Sequence, residues 1–520
     1  MSLSSTVPAV RLSHYGLPSS RKPISEYLEE NRLLAPTLLL GVCAFLFFYG
    51  LSAGDLYRNE SLRAIVAAGF LRSGNWLVPM LYGEPLFTKP PGMYAAIALV
   101  SWPFGGVSEW TARLPSALAA STTVFLIYGY FRRQFGRRAG LIAALILPMN
   151  VMWLDKSTAA EIDMMQVAWV TAALVCFLRA LEIAEGSSTP RALWLWWSAA
   201  LLCVAGGVLT KWTAPVFFYG TIIPLLWWRD RLRLLLGRHH LISALGGASV
   251  CFAWIGAAVA CTGWHVFFDT VSREAFQRLA PSHHEHGGYW LETLLHPLKL
   301  WATNLPWSIV ALFALRPGFV QAWDERAKRI LQVMHCWVWP NLIFWSLFPQ
   351  HTPRHALPLF GGIAGLAALV CIARLHGSER PRLWFKPVPI LTGCVALWLV
   401  VKIVFVQVVI PQRNVGREPR AKGEQIAALV PKGDTLYLFR LKDEGIMFYY
   451  GRPVRRLASV RYLPSSTEPV YCILSGEEWN GWQRHDTTAV LRELSDEQGA
   501  PIVLVKVSPV VVGSREATSK

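Results

Sequence analysis

Charge is scarce in this chain. Asp, Glu, Lys and Arg make up 16% of its 520 residues, against about 25% in soluble domains. No P-loop and no GxGxxG phosphate loop occurs, so nothing in the sequence points to a nucleotide site. The nine cysteines contain no CxxC pair, and most lie in or beside apolar runs, which argues against a disulfide framework and for small buried hydrophobes. The first 34 residues carry Arg11, Arg21, Lys22 and Arg32 but no short apolar core with a small-residue cleavage site, which excludes a cleavable signal peptide. No internal repeat or low-complexity tract is visible.

What is there is apolar and aromatic. Hydrophobic residues make up 53%, and there are 24 tryptophans, a residue that gathers at bilayer interfaces. Runs long enough to span a bilayer, about 20 residues, fall at 35–53, 112–131, 139–154, 164–181, 192–209, 212–228, 241–262, 331–348, 356–373 and 388–410, with a weaker one at 298–315. The run 91–104 is too short. The net charge of +17 would suggest nucleic acid in a soluble protein. Here it is concentrated in short loops: 132–138, 229–240, 316–329 and 374–386. Short basic loops stay in the cytoplasm. All of them, and the basic N-terminus, fall on that side only if 91–104 lies along the interface within one large outer loop, 54–111.

The expectation is therefore a mainly α, polytopic transmembrane bundle of about 11–13 spans. A cytoplasmic tail covers 1–34 and the membrane domain 35–410. Segment 411–520 has a helix at 424–430 and strands at 434–441, 469–474 and 502–512, and reads as a small α/β domain on the outer face. No nucleic-acid partner is expected.

This orientation gathers ionisable residues on the outer face: Asp55, Arg58, Glu60 and Lys89; Asp155, Lys156, Glu161 and Asp163; Lys211; Arg273, Glu274 and Arg278; Arg354 and His355. Such groups at membrane helix ends are paired, solvated or functional. Mixed cations and carboxylates suit an anionic ligand such as a phosphate beside a general base. Each also has a plainer reading. Asp55 could cap a helix starting at Leu56, and Asp163 could cap or flank the next span. Lys211 could be a snorkelling turn residue, and Arg278 and Arg354 could be interfacial anchors. The histidines at 283, 284 and 286 offer metal ligands of the borderline kind.

The segments GDLYRNESLRAI, the block from Ser73 to Leu118, AAEIDM, LTKW, REAFQRL and PRHALPL resemble, in that order, the GT-C integral-membrane glycosyltransferases. The nearest groups are the lipid A 4-amino-4-deoxy-L-arabinose transferases and the dolichyl-phosphate-mannose–protein mannosyltransferases. The resemblance implies inverting transfer of a sugar from a polyprenyl-phosphate carrier to a lipid A-like lipid or a protein. The implied place is the outer face of the bacterial inner membrane, and the implied state a monomer. It makes Asp55 the base and Asp163 the second catalytic acid, with Tyr57, Arg58, Lys89, Glu161, Lys211, Arg278 and Arg354 binding substrate. It gives no firm metal: Thr88 and Ala275 stand where the aminoarabinose enzymes carry an acid and a histidine associated with zinc. A transporter or lipid flippase is the alternative, against which stand the one-sided polar cluster and the lack of a repeat.

Overall fold

The computed structural model describes residues 31–186, 190–279, 286–321, 323–376, 387–464, 468–483 and 485–509. The chain is mostly helix. Among the described residues, six helices are long and apolar enough to cross a membrane: Glu109–Phe135, Ile162–Glu185, Pro190–Thr210, Arg238–Thr262, Pro353–Arg374 and Val388–Asn414. A bent pair, Tyr289–Ala302 with Trp307–Leu315, broken by 105°, makes a seventh if counted as one span. The other expected spans exist as helices that are shorter or more polar. Leu34–Phe48 and Ala214–Trp228 have fewer than 18 residues, and Glu325–Leu347 opens on Glu325, Arg326, Lys328 and Arg329. The run 139–154 is two pieces, Arg137–Ile146 and Val151–Lys156. Pro148 lacks an N–H to continue the first, and the Asn150 side chain starts the second by accepting from the Trp153 N–H at 3.0 Å.

Apolar lengths of this kind, repeated, make this a multi-pass membrane protein. Its centre is the Phe360–His376 helix; the window Pro353–Arg374 is 94% buried, against 11% for Val388–Asn414 at the lipid-facing edge. The sequence FGGIAG explains that position. A Cβ on Gly365 would meet Met334 Sδ at 2.2 Å, and one on Gly361 would meet the Trp337 ring at 2.8 Å. Small residues let the two backbones approach where lipid offers no hydrophobic drive of its own.

The segment after residue 91 is a short apolar helix, too short to span a bilayer by itself. Helix Gly92–Ser101 runs into a short 3-10 turn, Trp102–Phe104, and leaves Leu99, Trp102 and Phe104 exposed. The loop also holds a helix at Asn59–Ser73 and a two-residue hairpin, Met80–Leu81 against Glu84–Pro85. Tyr82 and Gly83 at its tip both have positive φ, as a two-residue hairpin turn with matching twist requires.

Beyond the last span lies a five-stranded sheet in the order Val454–Arg456, Leu436–Leu438, Val470–Ser475, Pro501–Val507, Thr488–Ser495. The first two pairings are parallel and the other two antiparallel. Helix Pro419–Leu429 begins five residues before the expected 424, and the strands at 454–456 and 488–495 were not foreseen. The sheet is not separate from the outer loop. Leu56, Ala64, Val66 and Phe70 share one apolar cluster with Ile426, Leu436, Ile446 and Leu504. The Arg456 N–H donates to Tyr82 O at 3.0 Å, and the Leu56 N–H donates to the Tyr449 hydroxyl at 2.9 Å.

Candidate active site

The first apolar helix, Leu34–Phe48, is followed by a turn whose backbone carbonyls also need donors. Arg113, from the Glu109–Phe135 helix, supplies four of them. Its Nη1 donates to the carbonyls of Leu51 at 3.0 Å, Ala53 at 2.7 Å and Gly54 at 3.2 Å, and its Nη2 to that of Asp55 at 3.2 Å. The same guanidinium forks onto Glu60 at 3.0 and 3.1 Å. Glu60 in turn accepts the Ala160 N–H at 2.8 Å. One buried arginine thus joins three segments of the chain at this end of the bundle. Sequence reasoning passed over it, although it lies inside the Ser73–Leu118 block.

Asp55 caps no helix, because the next one starts at Asn59. Its two oxygens point to the far end of the chain. Arg420 Nε lies 3.1 Å from Oδ1 and Asn414 Nδ2 3.3 Å from Oδ2. Arg420 also donates to Glu109 and lies over the Tyr449 ring, 4.5 Å from its centre. The Tyr449 hydroxyl donates to Glu109 at 2.8 Å. Burial pushes that hydroxyl up, as does the negative charge of Glu109, so it stays a protonated donor. Asn414 is reachable because the last helix continues to it without a break in direction, past the expected limit at 410. Close packing holds that helix in place: a Cβ on Gly54 would meet Ile410 Cγ2 at 2.4 Å.

Tyr57 lies between two guanidinia, Arg417 at 4.0 Å and Arg58 at 5.0 Å from its ring centre. Arg58 has φ +47°, a conformation a non-glycine residue holds only when its surroundings force it.

These groups line a cavity that also takes in Asp155, Lys156, Glu161, Arg354 and Arg413. Six cations face four carboxylates across it. Its floor is apolar, formed by Phe405 and Ile410. A second cavity holds Lys89, Asp163, Lys211, Glu274 and His355. The two share Asn59, Glu161 and Arg354 in their lining, so they adjoin. Glu161 sits between three cations: Arg63 at 3.5 Å, Lys156 at 3.6 Å and Arg354 at 3.9 Å. Lys89 meets Glu274 at 2.5 Å. Lys211 meets Asp163 at 2.8 Å, both side chains buried.

The structure therefore brings Asp55, Tyr57, Arg58, Glu161 and Arg354 to one cavity and Lys89, Asp163 and Lys211 to its neighbour. Residues 283 and 284 and the side chains of Arg278 and His286 lie outside what is described. Among the described residues no three His, Cys, Asp or Glu side chains converge on a metal position. Glu274 is engaged by Lys89, and neither Thr88 nor Ala275 beside the pair offers a carboxylate or imidazole. These residues do not fit a metal, and no step below uses one.

Residues 88–255 match the family model described as dolichyl-phosphate-mannose-protein mannosyltransferase. The fold is similar to a crystal structure of ArnT from Cupriavidus metallidurans bound to undecaprenyl phosphate, with a TM-score of 0.70 over 91% of this chain and 98% of that one, at 18% identity. At that identity the likeness is one of fold. The archaeal oligosaccharyltransferase AglB from Archaeoglobus fulgidus aligns with a TM-score of 0.51 at 12% identity over 88% of this chain and 70% of that one. Among curated relatives, undecaprenyl phosphate-alpha-4-amino-4-deoxy-L-arabinose arabinosyl transferases of Proteus mirabilis and Pseudomonas savastanoi pv. phaseolicola are 25% and 27% identical, over 62% and 67% of this chain. The chain spans 56% and 62% of their length.

Proposed function

We propose that this protein is an inverting glycosyltransferase. It moves a sugar from a polyprenyl-phosphate carrier to a lipid or protein acceptor at the outer face of a bacterial inner membrane. One observation carries the reading: an acid held by directed hydrogen bonds, Asp55, lies in a cavity adjoining one that contains Lys89 and Lys211, with Arg354 in the wall between. The similarity to undecaprenyl-phosphate-dependent relatives supports the donor class.

In the proposed step an acceptor hydroxyl or amine attacks the anomeric carbon. Its proton passes to Asp55, and the bond from that carbon to the phosphate oxygen breaks. The carrier phosphate leaves as a stable anion, so cations and not a general acid assist it. Arg354 and Arg58 suit bidentate contact with the phosphate, and Lys89 acts as a point charge that exchanges Glu274 for the ligand. Lys211 holds Asp163, and through it the shape of the inner cavity. Placing donor and acceptor in adjoining cavities supplies the proximity that such reactions depend on.

The test is Asp55→Asn in the full-length protein, assayed in membranes with a radiolabelled polyprenyl-phosphate sugar. Transfer should fall at least about 100-fold, the usual scale for a general base, with donor binding retained. Undiminished turnover would remove Asp55 as the base. Transport of the labelled lipid across vesicles without any sugar transfer would replace the enzyme reading with the flippase one.

A further inference from the structure

The end of the bundle opposite Asp55 carries a second charged cavity that the proposed reaction does not use. Glu109–Phe135 and Ile162–Glu185 both start at the site and run about 40 and 36 Å away from it, at 1.5 Å per residue. At their far ends, with the start of Glu325–Leu347 and the end of Ala214–Trp228, they enclose a pocket. Its wall is apolar, from Leu178, Leu181, Ile330 and Val333, and its rim carries Arg229, Arg326 and Arg329 with Glu182 and Glu185. Arg133 and Arg179 reach Glu182 from the edge, at 3.4 and 2.5 Å. Five guanidinia thus meet two carboxylates. Glu185 is shared by Arg229 at 3.2 Å and Arg329 at 3.1 Å. Arg326 donates to neutral oxygens, Gln134 Oε1 and Arg133 O, both at 3.0 Å.

Beside this pocket an aromatic groove is lined by Pro224, Trp227, Trp228, His335, Trp339 and Pro340. Trp227 is 75% exposed, and the Trp339 N–H is satisfied internally by His335 at 2.9 Å, so the groove presents mainly apolar ring surface. Arg229 joins the two features. It follows Trp228 directly, and its Nε reaches Gln332 at 3.4 Å, one helical turn before Cys336 in the groove.

We propose that this is a binding site for an anionic phospholipid, with the headgroup phosphate among Arg229, Arg326 and Arg329 and an acyl chain along the tryptophan groove. The surplus of three positive charges over carboxylates needs an anion. The adjoining dry groove calls for that anion to carry a hydrocarbon chain. Basic pockets between membrane helices take lipid headgroups on this physical basis.

Native mass spectrometry of the full-length protein in detergent tests it, with dioleoylphosphatidylglycerol and dioleoylphosphatidylcholine as probes sharing the same chains. The anionic lipid should be retained about tenfold better. The pair Arg326→Gln and Arg329→Gln should abolish that preference, while Arg326→Lys with Arg329→Lys keeps most of it and guards against misfolding. Trp227→Ala with Trp228→Ala should weaken both lipids alike. Equal retention of the two lipids, a preference that survives loss of both arginines, or displacement of phosphatidylglycerol by inorganic phosphate alone would overturn the proposal.

Discussion

Replacing Lys211 with Met should destabilise the protein by about 3–5 kcal/mol, the cost of leaving one member of a buried ion pair alone. Lys211 follows the last residue of Pro190–Thr210, and Asp163 is the second residue of Ile162–Glu185. A cation at a helix C-terminus and an anion at a helix N-terminus are each favoured by the helix dipole, so the pair joins complementary ends of two packed helices. Its side chains are 7% and 4% exposed and 2.8 Å apart. At an effective dielectric of about 20, two charges at that distance attract by roughly 6 kcal/mol as an upper bound; desolvation removes most of this. Little is therefore gained by the pair over two apolar residues, but much is lost by breaking it. Thermal unfolding followed by tryptophan emission, at a fixed scan rate because unfolding of such proteins is under kinetic control, should show a large drop for Lys211→Met. The double variant with Asp163→Leu should return to within about 1 kcal/mol of the parent. Sugar transfer should not return with it, because the carboxylate in the Lys89 cavity is then gone. An unmoved midpoint in Lys211→Met would refute the buried-pair reasoning. Recovery of transfer in the double variant would reduce Asp163 to a structural role.

Three shorter predictions follow from other parts of the molecule. Arg420→Ala should lower kcat about tenfold with the donor KM unchanged, since it frees one Asp55 oxygen without touching the phosphate cavity; Arg420→Lys should recover part of it, and a raised donor KM at constant kcat would contradict the positioning role. Lys402 is buried with no hydrogen-bond partner for Nζ among the described residues, so Lys402→Met should raise the unfolding midpoint; a lower midpoint would mean that the ammonium has a stabilising partner. In the C-terminal sheet region, burial pushes Glu497 up to about 8 and Asp443 to about 6, with the charges of Asp443 and Glu444 raising Glu497 further and those of Asp496 and Glu444 raising Asp443. The unfolded chain releases these protons near pH 4 and the folded one holds them longer, so this region should lose stability as pH rises from about 4 through 8. Hydrogen exchange at pH 5 and pH 8 should show that loss, and Glu497→Gln should reduce it.

The parts legible in the sequence were those written in local pattern. Apolar length gave the helices, the shortness of the run 91–104 gave a helix too short to span a bilayer, and charge at helix ends gave most of the ionisable residues that line the two cavities. The parts that escaped depend on distance along the chain. Arg420 and Asp55 are 365 positions apart, and nothing in the composition around Pro419 marks its partner. Arg113 sits near the start of an apolar run and carries no local mark of its role; only the fold shows that it gathers the carbonyls of the turn that leads to Asp55. The strand at 454–456 has three residues and is set by its neighbour Leu436–Leu438, not by its own pattern. The split of 139–154 was legible in principle, since Pro148 and Asn150 are a breaker followed by a cap.

The lysines of the inner cavity fall together in the sequence, although Glu274 and Arg354 reach that cavity from beyond residue 255 and Asp155, Lys156 and Glu161 line the Asp55 cavity from within the matched part. Lys89, Glu161, Asp163 and Lys211 all fall within residues 88–255, the part that matches the mannosyltransferase family model. Asn414, Arg417 and Arg420, which hold Asp55 and Tyr57, all fall outside it. If Asp55 takes the acceptor's proton, the surface beside it is where the acceptor must lie, and that surface is built by the segment that leads into the C-terminal sheet. The lysines proposed to meet the donor would then lie in the matched part of the chain, joined by Arg58 and Arg354 from outside it, and acceptor choice in the unmatched part. The ordering is physically reasonable, because a carrier phosphate presents the same charge whatever sugar it bears, whereas acceptors differ in shape and charge. It also explains why the sheet packs into one apolar cluster with the outer loop: a domain that orients the base has to be fixed to the loop that carries it.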